Sequence, residues 1–295
     1  MRVTLHNARV GKNGVFSAKH NDRNFNVNNT AHIDPDKSNG NFYWHCIPEH
    51  PEMSFDEVEE EFYKKHFSNH LNAQNQRYIA QRHVERCQTI DDMRKNPRTC
   101  PEEVLLQIGT VHNGITAHTL KDIALEYISW EKRIFPEIST LNIALHQDEQ
   151  GGVHIHQRRV WIAHDKEGYE IVSQSKTLTE IGIQRPDPAR PESRYNNKKQ
   201  TFTRICREKF LEICKIHGLE IESEPREKSQ SGLQLIDYKV RQEQQRMHQL
   251  KQRECELESK CLETEKALQE AGEFLHRAEM KRAFFILNRE RERIR

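Results

Sequence analysis

Three histidines in one short stretch carry most of the chemical information in this sequence: His146, then His154 and His156 beyond Gly151-Gly152. Residues two apart on a β-strand share a face, so His154 and His156 project together where Val153 to Ala163 runs as a strand. In the segment before the glycines, Leu141, Ile143 and Leu145 alternate with Asn142, Ala144 and His146. A hairpin across the Gly-Gly turn sets His146 opposite the pair. One histidine in such a place reads as an ordinary polar surface residue. Three of them, with Asp148 and Glu149 in the connection, read as a metal site that keeps positions open for water and a phosphate oxygen. Three neutral imidazoles suit Mn²⁺, Zn²⁺, Mg²⁺ or Fe²⁺, and the spacing does not choose among them.

A metal acting on a phosphodiester withdraws charge from a non-bridging oxygen, yet it still needs a nucleophile placed for in-line attack. The N-terminal segment offers one. Ser17-Ala18-Lys19-His20-Asn21-Asp22-Arg23-Asn24 joins an imidazole, an amide and a guanidinium within four residues, and Asn28-Asn29-Thr30-Ala31-His32-Ile33-Asp34-Pro35 follows. Asn28-Asn29 and His32 read equally well as a turn-rich loop.

Taken in order, His20-Asn21-Asp22-Arg23, then His32-Ile33-Asp34-Pro35-Asp36-Lys37-Ser38-Asn39-Gly40-Asn41, then His146-Gln147-Asp148-Glu149 followed by His154-Ile155-His156 resemble the three motifs of the Mob/Pre (MobV-type) plasmid mobilisation and recombination relaxases. Those enzymes belong to the HUH endonucleases, named for two histidines flanking an apolar residue. The resemblance covers about the first 165 residues, with the region from Arg204 to Glu224 read as part of the same unit. It implies His146, His154 and His156 as metal ligands and His20 as the nucleophile, with Tyr43 in reserve because many HUH enzymes use tyrosine. It implies Asn21 beside the nucleophile, Arg23 as the cation that steadies charge on the phosphorane, Asp34 as a residue orienting a histidine or the metal shell, and Glu149 as base or ligand support. Mn²⁺ or Mg²⁺ is then the expected ion, and single-stranded or supercoiled origin-of-transfer DNA the expected partner. One departure stands out. The family spaces its third motif with two residues and a proline before the paired histidines, whereas Gln150-Gly151-Gly152-Val153 here is one residue longer and has no proline.

Elements that could position these residues are legible around them. Ser54-Phe55-Asp56-Glu57 forms a capping box ahead of a helix carrying Phe55, Val58, Phe62 and Leu71 and running toward Arg82. Val104 to Ile108 reads as a strand, and Leu120, Ile123, Ala124, Tyr127 and Ile128 mark a helix with Thr119 as its cap and Pro136 as its stop. Gln174 to Gly182 suits a short helix, and Arg185 to Arg194 a proline-rich loop. Thr201 to His217 suits a helix with Phe202, Ile205, Phe210 and Ile213 on one side and Gly218 after its end. The expected fold is α+β: a mostly antiparallel sheet of HUH type with the histidines on one face and helices packed on the other. The expected domains are a nicking domain over 1–230 and a helical extension over 231–295. In that extension Met247, Leu250, Leu257, Cys261, Leu268, Ala271, Leu275 and Ala278 fall on a heptad seam interrupted by Glu254 and Thr264. Such a seam serves a coiled-coil homodimer, a protein partner or a single solvated helix.

Bulk properties narrow the class. No apolar run approaches the length of a membrane span and Met1 to Gly14 lacks a signal-peptide core, so the chain is expected in the bacterial cytoplasm. Seven cysteines without a CxxC pair point to reduced thiols rather than a zinc finger. A net charge of +1 means that DNA binding must rest on local clusters, for which Arg158-Arg159 and Asn197-Lys198-Lys199 are the candidates. Two rival readings share these features: a rolling-circle replication initiator acting through Tyr43, and a DNA-binding or coiled-coil scaffold without catalysis.

Overall fold

Strong apolar alternation builds the sheet on which everything else is mounted. In the computed structural model, residues 1–222 are described except 13, 28, 29, 31, 111 and 112, together with 247, 250–261, 263, 264, 266, 269 and 280–282. Chain contacts divide the protein into Met1–Ser223 and Glu224–Arg295. In chain order the first unit holds β1 (Val3–Ala8), the small hairpin β2 (Val10–Gly11) and β3 (Gly14–Val15), α1 (Ala18–Asn21), β4 (Phe42–His45), α2 (Phe55–Ala80) and α3 (Ile90–Lys95). It continues with β5 (Glu102–Ile108), α4 (Ala117–Ile134), β6 (Ile138–His146), β7 (His154–His164), β8 (Glu170–Val172), α5 (Gln174–Glu180) and α6 (Lys198–Ile216).

Six strands make one antiparallel sheet in the order β1-β5-β7-β6-β4, with β8 paired to the far end of β7. The α+β expectation is met. Strands β6 and β7 form the hairpin read in the sequence, with His146 directly opposite His154 and Ala144 opposite His156. A register shift between Thr140 and Asn142 puts Leu141 on the opposite face from Ile138 and Ile143. One face of the sheet buries Val104, Leu106, Ile143, Ile155 and Trp161 against α4, α5 and α6, whose Tyr127, Leu178, Phe202 and Phe210 complete the main core.

The other face is shared. At one end α2 packs Tyr63, Phe67 and Leu71 on Leu141, Val160 and Ile162, and at the other end the histidines stand free of it. A helix on the histidine side adds to the helical layer expected behind the sheet. Its start is the capping box read from the sequence: Glu57 Oε2 accepts the Ser54 N–H at 2.8 Å and Ser54 Oγ accepts the Glu57 N–H at 3.3 Å. In α4 the cap is Thr116, not Thr119; the Thr116 hydroxyl accepts the Thr119 N–H, as a cap three residues ahead of its donor requires.

Of the two expected DNA-binding clusters, Arg158-Arg159 is interior and most of Asn197-Lys198-Lys199 is spent on other groups. Successive residues of a strand point to opposite faces, so Arg158 and Arg159 leave β7 in opposite directions and each meets carboxylates. Arg158 is paired with Glu59 of α2 and Glu103 of β5, and Arg159 with Glu102 of β5 and Glu131 of α4. Both arginines are fully buried. Lys199 binds Glu102 at 2.8 Å beneath the Trp161 ring, and Asn197 is spent capping α6. Lys198 differs: its Nζ donates to Thr179 Oγ1 at 2.7 Å on an exposed part of the surface.

Residues 250–261 are helical with exposed side chains. The heptad positions Leu268, Ala271, Leu275 and Ala278 lie outside the described residues. No helix among the described residues is long and apolar enough to cross a membrane.

Glu59 therefore anchors a buried cation. Truncating it in Glu59→Ala strands Arg158 without its main partner and is expected to cost about 3–5 kcal/mol, read as a lowered urea midpoint of unfolding.

Candidate metal centre and nucleophile

The hairpin sets the three rings together: centroids lie 5.4 Å apart for His146 and His154, 5.0 Å for His146 and His156, and 4.9 Å for His154 and His156. All three are buried. Each ring also has one nitrogen tied to an oxygen. His146 Nε2 lies 2.8 Å from the Asn21 carbonyl, His154 Nδ1 2.8 Å from the Gly152 carbonyl, and His156 Nδ1 2.9 Å from Glu103 Oε1.

A carbonyl or an ionised carboxylate can only accept a hydrogen bond, so in each ring the tied nitrogen carries the proton. The nitrogens left for a ligand role are Nδ1 of His146, Nε2 of His154 and Nε2 of His156. The first and last of these are buried without a hydrogen-bond partner. Burial lowers the His146 pKa and pushes that of His154 down to about 4, aided by the neighbouring His156, so both rings are neutral near pH 7.

Glu149 closes the arrangement. Its Oε1 is 3.4 Å from His146 Nδ1 and its Oε2 is 3.6 Å from His154 Nε2. Burial alone would raise the Glu149 carboxyl; its charged neighbours, among them the Arg23 guanidinium at 2.8 Å, outweigh it and hold the group ionised. Acceptors thus face acceptors across a small gap. A divalent cation is the group that this donor set fits, since it replaces lone-pair repulsion with coordination. One ligand atom each from His20, His146, Glu149 and His156 already lies within 4.8 Å of the others. His154, expected as a ligand, borders that set through Glu149.

The N-terminal segment is fastened to the same place. His20 on α1 has Nε2 3.3 Å from Glu149 Oε1, and at 39% side-chain exposure it is the most accessible of the four histidines. Its ring is 5.9 Å from His146 and 5.8 Å from His156. Asn21 is fully buried; beyond its carbonyl contact with His146, its Nδ2 donates to Glu103 Oε2 at 3.2 Å. Arg23 has φ +58°, a left-handed conformation uncommon for a residue with a side chain. That turn ends α1 and sends the guanidinium back to Asp148 Oδ1 at 2.6 Å and Glu149 Oε1 at 2.8 Å. Only 7% of its side chain is exposed, so Arg23 acts here as the clamp on two carboxylates.

Asp34 is placed differently from the expectation that it orients a histidine or the metal shell. Its side chain accepts from the Asp36 N–H and pairs with Lys37 at 2.9 Å, capping the turn Pro35–Gly40. The rest of that motif grips Asp148: Ser38 Oγ donates at 2.8 Å and Asn41 Nδ2 at 2.7 Å. Burial would raise the Asp148 carboxyl, and bonds from Arg23, Asn41 and Ser38 bring it to about 2. Tyr43 also borders the site, its ring 6.5 Å from His146 and its hydroxyl accepting from Asn41. Of the earlier loop, Asn28 and Asn29 lie outside the described residues, and exposed His32 stacks 6.4 Å from His20.

The structure is similar to the MobM relaxase domain. That solved protein (MOBV; Mob_Pre), bound to plasmid pMV158 oriT DNA and Mn at pH 6.8, gives a TM-score of 0.46 at 13% identity, covering 77% of this chain and 95% of that one. A second crystal structure, at pH 5.5, gives 0.46 at 14% identity over 80% and 100% of the two chains. No family model and no curated protein matches the chain.

Sequence reasoning missed Glu103, the hub of the site. Burial would raise it, and donors on two elements, His156 and Arg158 of β7 and Asn21 of α1, hold it at about 2. The only local signal was its place in β5, where alternation points it away from the apolar Val104 and Leu106. Removing its charge loosens two histidines at once. Glu103→Gln is expected to weaken Mn²⁺ binding about 10- to 100-fold, measured by calorimetric titration, and His156→Ala to abolish the Mn²⁺-induced rise in melting temperature. An unchanged affinity in Glu103→Gln would show that the hub does not govern the histidines.

Proposed function

We propose that this chain is a metal-dependent, site- and strand-specific DNA nicking and strand-transfer enzyme, a relaxase acting in plasmid or mobile-element mobilisation. The observation that carries the reading is the convergence of three outwardly tethered histidines and Glu149 beside an accessible His20. His146, His154 and His156 would hold Mn²⁺ or Mg²⁺, with Glu149 at the edge of the set. Bound there, the ion would draw charge from a non-bridging oxygen of the phosphodiester and fix it for in-line displacement.

The residues of the chain do the rest. Glu149 sits 3.3 Å from Nε2 of His20, placed to accept a proton from one ring nitrogen while the other attacks phosphorus. The P–N bond forms, the P–O3′ bond breaks, and the 3′ oxygen leaves with the electron pair and takes a proton from water. The protein is left joined to the 5′ end as a phosphoramidate, which a 3′-hydroxyl can later attack to reseal the strand. Arg23 keeps Glu149 aligned through the ion pair described above, and Asn21 sets the tautomer of His146.

A second reading is favoured by one contact: Tyr43 lies against His146, as a tyrosine nucleophile of a rolling-circle replication initiator would. Burial raises its hydroxyl pKa, which makes it the poorer nucleophile near neutrality. Purified chain incubated with supercoiled origin DNA and Mn²⁺ is expected to yield nicked circles with protein on the 5′ end. His20→Ala should lower that yield by about 10³-fold or more, the order found when a nucleophile is lost, while Tyr43→Phe retains it. The reverse pattern would favour the initiator, and no nicking in any variant would favour a non-catalytic scaffold.

A further inference from the structure

The loop between α5 and α6 carries chemistry that neither the metal centre nor the core uses. It lies on the sheet face opposite the histidines, since both helices that it joins pack there. From Arg185 to Lys198 it holds the cations Arg185, Arg190, Arg194 and Lys198 against the acids Asp187 and Glu192. Its tip is Ser193-Arg194-Tyr195-Asn196, a tight turn in which Ser193 and Asn196 exchange both backbone hydrogen bonds at 3.2 Å.

Two asparagines hold this loop in one shape. Asn196 Oδ1 accepts the Asp187 N–H at 2.9 Å, while its Nδ2 reaches the carbonyls of Asp187, Arg190 and Pro191 at 2.9, 3.2 and 3.1 Å. Asn197 Nδ2 donates to the Ser193 and Arg194 carbonyls at 2.9 and 3.0 Å. Pro186, Pro188 and Pro191 remove further backbone freedom. The loop therefore needs little ordering when a partner arrives.

The two corner residues of the turn are exposed. Tyr195 is 66% accessible, and the Arg194 guanidinium carbon stands 5.7 Å from its ring centre. Among the described residues no carboxylate pairs with Arg194, whereas Asp187 is taken by Arg190 at 3.1 Å. Turn corners favour glycine, asparagine, aspartate and proline, so local conformation gives no reason for a tyrosine here. An aromatic face beside an unneutralised guanidinium suits nucleic acid: the ring stacks on a base and the cation takes a phosphate. An acidic peptide would use the cation and leave the ring without a planar partner. A duplex keeps its base faces stacked on one another, so the platform favours a single strand.

We propose that Arg194 and Tyr195 form a second, sequence-tolerant contact for single-stranded DNA, away from the nicking site, with one base stacked on Tyr195 and a neighbouring phosphate on Arg194. The contact rests on the DNA-nicking reading for its purpose: a strand gripped at two places stays with the protein while its cut end awaits resealing.

The test needs no catalysis. The full chain in EDTA is irradiated with single-stranded oligo(dT) carrying 5-iododeoxyuridine, and an adduct is expected on the tryptic peptide from Tyr195 to Lys198. Tyr195→Ala should weaken oligo(dT) binding about fivefold or more, the effect of losing one stacked base, and Tyr195→Phe should restore it, while the dA·dT duplex binds both variants as it binds the unaltered chain. Arg194→Gln should reduce the slope of log affinity against log salt by about 0.7, one phosphate on a single strand. Adducts confined to other peptides, or equal losses on single strand and duplex in Tyr195→Ala, would overturn the contact. Nicking by a protein whose oligo(dT) affinity ignores Tyr195→Ala would leave the enzyme reading intact and remove this one; a Tyr195-dependent affinity in a chain that does not nick would do the opposite.

Discussion

An ionised carboxylate facing unprotonated imidazole nitrogens is repulsive on its own, and the candidate site is built around that repulsion. Glu149 looks at His146 Nδ1 and His154 Nε2 because every other option has been removed: each ring has its proton directed away to an oxygen. Burial then prevents His146 and His154 from relieving the contact by protonation. A divalent cation resolves the conflict in one step, so the fold stores in geometry the selectivity that a flexible site would have to find on binding. The Gly151-Gly152 turn takes part in the same arrangement: Gly152, at φ +85°, turns its carbonyl onto His154 Nδ1 and supplies the acceptor that fixes that ring.

The second constraint is attachment. His20 arrives from a segment more than a hundred residues away in sequence, on a helix of only four residues that propensity alone would not hold. Its position is set by cross-links: Asn21 to Glu103 and His146, Arg23 to Asp148 and Glu149, and Asp148 in turn to Ser38 and Asn41. Each of the three sequence motifs thus contributes to one network, and the acid that faces His20 is the acid that Arg23 secures.

This division shows what a sequence can disclose here. The histidines were legible because strand geometry converts spacing directly into a shared face, and the capping box at Ser54 because its two hydrogen bonds are local. Roles that depend on distant partners were not. Arg158-Arg159 looked like a basic patch since nothing nearby in sequence reveals Glu59, Glu102, Glu103 and Glu131 waiting on other elements. Arg23 read as a phosphate contact for the same reason, and Asp34 as a histidine partner, whereas its short side chain is captured by the turn it caps. Glu103 was invisible as a functional residue because its importance lies entirely in who meets it.

Glu103 also joins the site to the interior. It accepts from His156 and Asn21 on the reactive side and from Arg158 on the other, and Arg158 continues to Glu59 on α2. Burying such a chain of charges is expensive, and hydrophobic replacements of similar volume can be as stable, so its value is not in net stability. What it supplies is a fixed register among β5, β7 and α2. A slip of one residue between β5 and β7 would turn Glu103 to the wrong face, leaving Arg158 and His156 without their acceptor in a buried setting. Misregistered sheets are therefore penalised at the same residues that orient the histidines, and a correctly paired hairpin brings each ring with one nitrogen already tied to an oxygen.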